Sequence, residues 1–203
     1  MDQNILVIAE RTPQYEGGSG DQKILYTSYY QMPNVFFCIV NAGSNKTLAL
    51  NNWTDFYDYK ESKDKPKKNW RYADFINSFS MNQEKFLRSE AYISSLASKL
   101  KEIIKEKNIK LMVFEQTGML MWSWSRYFYN SVKCILRIHD SHFDYLLSDI
   151  KTRKKLLSRL ALMGSAIVQK KYEKEHIRQW NQIQFLSKKE FQFYCSELKL
   201  FLR

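Results

Sequence analysis

Five apolar runs rich in β-branched and aromatic residues recur along the chain: Ile5 to Ala9, Val35 to Val40, Leu111 to Phe114, Cys134 to Ile138 and Ile183 to Leu186. Each run is continuous rather than alternating, as in a strand buried on both faces, and the long intervals between them accommodate helical crossovers. Asp21 to Gln31 predicts the first helix. The clearest helical periodicity spans Asn82 to Lys107, where Phe86, Ile93, Leu96, Leu100, Ile103 and Ile104 share one stripe. Ser80 and Gln83 suit a capping box before it, and Asn108 suits a stop after it. Phe143 to Trp180 is a second helical stretch, carrying Tyr145, Leu146, Ile150, Leu156, Leu157, Leu160 and Leu162. It is too long for one ordinary helix, and Gly164 is the expected bend. Ser187 opens a last helix, Lys188 to Leu200. Trp53 to Tyr72, dense in aromatic and lysine residues, reads as a surface insertion.

Strand and helix therefore alternate, which predicts an α/β fold: a Rossmann-like doubly wound parallel sheet. With 203 residues, 44% of them apolar, and no long Pro/Gly/Ser-rich stretch, the chain supports a single domain over residues 1–203. In such sheets ligands bind beyond the carboxyl ends of the strands. Three polar groups fall there: Gly17-Gly18-Ser19, Glu115-Gln116-Thr117-Gly118 and His139-Asp140-Ser141-His142.

Each group has a chemical and a purely structural reading. Glycines between a strand and a helix allow positive φ and close approach of a ligand, and the helix start favours an anion such as a phosphate. The spacing fits neither G-x-G-x-x-G nor the P-loop. A plain turn explains the same residues. His139 is the first choice for a functional side chain, because an imidazole at a strand end can bond a sugar hydroxyl or a phosphate, and Asp140 is the candidate to orient it. A structural histidine is the competing reading. Glu115, Gln116, Ser141 and Ser187 are candidates to line the substrate cleft. His139, His142 and Asp140 are too few for a zinc site, and the cysteines offer no paired spacing, so no metal is expected. No serine occupies a G-x-S-x-G elbow. Trp122, Trp124, Tyr127, Phe128 and Tyr129 form an aromatic cluster, read first as core packing.

The formal charge of +11 is concentrated: Lys151 to Arg178 holds nine Lys and Arg against two Glu. Lys151, Arg153, Lys154, Lys155 and Arg159 make a candidate patch for an anionic membrane, with a solvated helix face as the alternative. Three widely spaced cysteines suit a reducing cytoplasm. No signal peptide and no membrane-spanning run is read, so a cytoplasmic location is expected, with association to the inner face of the cell membrane.

The Gly17-Gly18-Ser19 loop after the first strand, Arg137-Ile138-His139-Asp140 with Tyr145 following, and the strand-Ser-helix step at Phe185-Leu186-Ser187 together resemble the N-terminal domain of retaining glycosyltransferases of family 4. That family has the GT-B fold of two facing Rossmann-like domains. The resemblance covers nearly the whole chain. It implies that Gly17, Gly18 and Ser19 lie beside the donor diphosphate and the acceptor, and that His139 lines the reaction centre. The family's second domain, with most nucleotide-sugar contacts and a paired-glutamate motif, has no counterpart before Arg203. The resemblance thus implies an acceptor-binding half, inactive alone. Its partners would be a nucleotide-sugar donor, used as a substrate with no cofactor, and a glycan or lipid-linked glycan acceptor for cell-surface polysaccharide or glycoconjugate synthesis. The alternative function is a non-enzymatic basic module binding nucleic acid or a membrane surface. It is motivated by the charge and by the aromatic and lysine residues of Trp53 to Tyr72. No RRM, KH or zinc-finger signature supports nucleic acid.

Overall fold

The computed structural model describes residues 3–9, 11–39, 55–58, 97–115 and 132–199. Six strands form one sheet: β1 (Ile5–Ala9), β2 (Val35–Ile39), β3 (Asp55–Asp58), β4 (Leu111–Glu115), β5 (Lys133–Ile138) and β6 (Ile183–Phe185). All pairs are parallel and the order is β3-β2-β1-β4-β5-β6, the doubly wound order that the apolar runs predict. The register aligns Cys38, Ile8, Phe114, Leu136 and Ile183 across five strands. Chain direction across the sheet reverses between β1 and β4. At such a reversal, doubly wound sheets bind their ligands beyond the carboxyl ends of the strands.

The helices are α1 (Gly20–Tyr29), α2 (residues 97–106), α3 (His142–Thr152), α4 (Leu156–Ile177) and α5 (Lys188–Glu197). Successive strand side chains point to opposite faces, so each apolar run feeds two cores. On one face Leu6, Ile8, Phe36, Met112, Phe114, Leu136 and Ile138 pack with Leu100 and Ile103 of α2, Phe143 of α3, Ala166 and Ile177 of α4 and Tyr194 of α5. On the other, Val7, Ala9, Val35, Phe37 and Ile39 pack against Leu25 and Tyr29 of α1. Each of the Val, Leu, Ile, Phe and Met side chains among them contributes about 1.5–3 kcal/mol by leaving water.

Two expectations need correction. Trp53 to Tyr72 is not wholly an insertion, because Asp55–Asp58 pairs in parallel with β2 as the edge strand β3. The second helical stretch breaks at Arg153 to Lys155, not at Gly164, which sits inside α4. One mid-helix glycine costs only about 1 kcal/mol, whereas Leu146, Leu147 and Ile150 of α3 and Ala166 and Ile177 of α4 reach the same core only if the chain reverses. Asn108 does stop α2, in the left-handed conformation at φ 48°. Ser80, Gln83, Phe86, Ile93 and Leu96 lie outside the described residues.

Candidate functional site

Glu115 and Arg137 are register partners at the carboxyl ends of β4 and β5. His139 lies two residues beyond Arg137 and so shares its parity. All three therefore face the side of the sheet that α1 covers, where Tyr29 and Ser28 meet them. Glu115 is fully buried and His139 is 3% exposed. Arg137 Nη1 donates to Glu115 Oε1 at 2.8 Å and to the Tyr29 hydroxyl at 2.9 Å, and its Nη2 donates to Ser28 Oγ at 3.4 Å. The guanidinium also lies over the Tyr29 ring, 5.5 Å from its centre. Tyr29 donates its hydroxyl to Glu115 Oε1. His139 Nε2 meets the other carboxylate oxygen, Oε2, at 2.5 Å.

Burying these charges costs several kcal/mol per ion, and only a fully bonded geometry offsets that. Burial by itself raises the Glu115 carboxyl. The His139 hydrogen bond, the Arg137 and His139 charges and the Tyr29 bond together outweigh it, holding the group below its ordinary value. Burial and the Glu115 charge push the Tyr29 phenol far up, so it stays a donor. Glu115 is thus ionised and answered by Arg137. Its carboxylate fixes the His139 ring through Nε2, leaving Nδ1 buried with no hydrogen-bond partner among the described residues. A buried imidazole nitrogen without a partner forgoes a hydrogen bond worth about 1–3 kcal/mol. A ligand hydroxyl or phosphate oxygen at that atom would restore it.

The carboxylate that orients His139 is therefore Glu115, from the neighbouring strand, and not Asp140, whose side chain is exposed. Glu115 itself has both oxygens engaged and lies behind His139 rather than in an open cleft. Ser141 caps α3, accepting from Asp144 N–H at 3.2 Å and donating to Glu173 Oε2 at 2.8 Å. Ser187 caps α5 in a reciprocal pair with Glu190 and is exposed. Burial raises the Glu190 carboxyl, and nearby Asp140 adds to the rise, so these strand ends lie side by side. Gln116 and the aromatic cluster from Trp122 to Tyr129 lie outside the described residues.

The glycine loop is built largely for its own backbone. Gly17 has φ +69°, and a Cβ on Gly18 would stand 2.5 Å from the Gln14 carbonyl oxygen. Gln22 ties the loop down by accepting from Ser19 N–H at 3.1 Å and donating to the Thr12 carbonyl at 2.9 Å. Arg11 donates to Ser19 Oγ at 3.3 Å and stands 3.9 Å from Asp21. The start of α1 thus presents a guanidinium beside its N–H groups, against one carboxylate in its first turn.

Among the described residues, no three His, Cys, Asp or Glu side chains are grouped as metal ligands. Burial pushes the Cys134 thiol up to about 11, which keeps it protonated. Searched against protein-family models and against curated proteins, the chain matches none. Sequence reasoning missed Tyr29 and Glu173, and quoted Arg137 only as part of the motif around His139. The signal for Arg137 was parity, since Val113, Glu115, Ile135, Arg137 and His139 occupy one face and turn polar together at its carboxyl edge. Tyr29 carried no such signal, because its meeting with Glu115 depends on where α1 lies across the sheet.

Proposed function

We propose that this chain is the acceptor-binding half of a retaining, nucleotide-sugar-dependent glycosyltransferase, acting in cell-surface polysaccharide or glycoconjugate synthesis. The observation that carries the reading is the buried Nδ1 of His139, which has no partner among the described residues, on a ring held by Glu115 at the carboxyl edge of a doubly wound sheet. With Nε2 engaged by Glu115, Nδ1 is the ring atom left to hydrogen-bond a sugar hydroxyl, and the rigid Glu115–Arg137–Tyr29 backing fixes the direction of that bond. A group held this way discriminates a correctly placed hydroxyl from a displaced one without moving. Beyond the carboxyl end of β1, Arg11 and the N–H groups at the start of α1 suit the diphosphate charge that grows as the sugar departs. A second domain closing over this edge would supply the remaining donor contacts and exclude water.

Sugar transfer from a panel of nucleotide sugars to lipid-linked and free glycans, assayed with the protein in its natural length and with residues 1–203 alone, tests the reading. Transfer from one donor by the full protein, and none by residues 1–203 alone, is the expected result. Tight, selective nucleotide-sugar binding by residues 1–203 would overturn the division of labour. Absence of transfer from every donor would overturn the activity.

A further inference from the structure

Ten large apolar side chains stand exposed among the described residues, and six of them belong to α3 and α4: Tyr145, Leu156, Leu157, Leu160, Met163 and Ile167. These helices form an antiparallel hairpin. Glu173 near the end of α4 bonds Ser141 and Phe143 at the start of α3, and only Arg153 to Lys155 link the two. The buried stripe of α4 runs through Ala166, Glu173 and Ile177. Leu156, Leu160, Met163 and Ile167 follow a separate four-three-four spacing and make a second apolar stripe that faces outward. At the hairpin tip Leu156 is 69% and Leu157 76% exposed.

The tip is also where the positive charge gathers. Lys151, Lys154, Lys155 and Arg159 are exposed and have no ion-pair partner among the described residues. Arg153 is different, because Asp149 holds it through Nε and Nη2. No Asp or Glu occurs from Lys151 to Tyr172. Aliphatic side chains ringed by unpaired lysines fit one kind of partner. Protein interfaces deplete lysine around their apolar centre. A second copy of this chain would set like charges face to face. An anionic bilayer accepts both features, with lysines at the headgroups and leucines in the acyl boundary.

We infer that the α3–α4 tip is a membrane-docking element that inserts Leu156, Leu157 and Leu160 into the interface of an anionic bilayer. It stands independently of the transferase proposal, since it rests on a different surface and its test reads no sugar transfer. The test is flotation of the 203-residue chain with phosphatidylcholine vesicles and with vesicles enriched in phosphatidylglycerol, at low and high salt. Binding to the anionic vesicles alone is expected. Each basic residue near the surface is worth about fivefold in affinity, so Lys151→Gln/Lys154→Gln/Lys155→Gln/Arg159→Gln should lower binding by more than about 100-fold. Leu156→Ser/Leu157→Ser leaves the charge intact and should lower it by at least about tenfold, since burying a leucine is worth that much or more. Both sets of side chains are exposed, and circular dichroism on each variant verifies the fold. Equal binding to neutral vesicles, or a serine variant that binds as tightly as the parent, overturns the proposal. So does a parent that forms dimers abolished by the serine variant while ignoring vesicles, which makes the stripe a contact between copies.

Discussion

Glu115 and Glu173 are both fully buried, and both bond to the segment between His139 and Phe143, yet they do different work. Glu173 accepts from Ser141 Oγ at 2.8 Å, from Phe143 N–H at 2.9 Å and from Gln169 Nε2 at 3.1 Å. Every partner is a neutral framework donor, and one is a free N–H at the start of α3, where a negative charge is favoured. The carboxylate ties α4 to α3 and ends there. Glu115 instead gathers an arginine, a tyrosine and a histidine, and its network stops at His139 Nδ1, which has no hydrogen-bond partner among the described residues. A buried charge whose bonds close on the framework is structural. One whose bonds lead to an unpartnered nitrogen at a strand edge is the one that the transferase proposal uses.

The sharpest way to break that distinction is to remove each carboxylate and ask what is lost. Glu173→Ala orphans three donors, each worth about 1–3 kcal/mol when buried, so unfolding stability should fall by about 3 kcal/mol or more. Turnover per folded molecule should be unchanged. Denaturant melts beside transfer assays check both, and a Glu173 variant that stays stable but loses turnover would erase the contrast.

His139→Ala should behave in the opposite way. Glu115 keeps Arg137 and Tyr29 on Oε1 and loses only the partner of Oε2, so the stability loss should be about 1–3 kcal/mol, the penalty for one buried group left unpaired. Turnover of the natural-length protein should drop by roughly 100-fold, as for a positioned polar catalytic group, about 2.7 kcal/mol in the barrier. A destabilised variant with normal turnover would make His139 a core histidine and leave the glycine loop as the site's only support.

Acid titration tests the Glu115 half of the comparison without a transfer assay. Glu115 is held below the ordinary carboxylate value in the folded chain. Its contribution to stability is therefore present above that ordinary value of about 4.3 and is lost as pH falls through the lower folded one. Unfolding free energies from urea melts, measured from neutral pH downwards, should fall more steeply for the parent than for Glu115→Gln. Parallel curves would mean that Arg137 and His139 leave the carboxyl where an unfolded chain has it.

Much of the fold was legible because four strands are buried on both faces: Ile5–Ala9 was read with the bounds it has, and β2, β4 and β5 within one residue. β3 was not, because Asp-Phe-Tyr-Asp is short and bracketed by charge, and only pairing with β2 makes it a strand. His139 and Glu115 were legible as strand-end polar residues. Their partnership was not, since it joins positions 24 apart. Asp140 looked like the orienter because it is adjacent in sequence, but adjacent residues at a strand end point opposite ways.

The smallest effects test whether the glycine loop belongs with Glu115 or with Glu173, that is, with the ligand or with the framework. A side chain at Gly18 would collide with backbone, at 2.5 Å from the Gln14 carbonyl oxygen, so Gly18→Ala must displace the loop. Gly17→Ala keeps the space but forces alanine to φ +69°, at about 1–2 kcal/mol. Gly20 has nothing within 4 Å of the added carbon and begins α1, so Gly20→Ala should shift stability by no more than about 0.5 kcal/mol, within the preference of a helix for alanine over glycine. Thermal melts should rank the three in that order. If the order holds and Gly20→Ala nevertheless weakens nucleotide-sugar binding, the open space above Gly20 is where a phosphate approaches the helix start. If binding is unaffected, the glycines serve the turn alone, as Glu173 serves the hairpin.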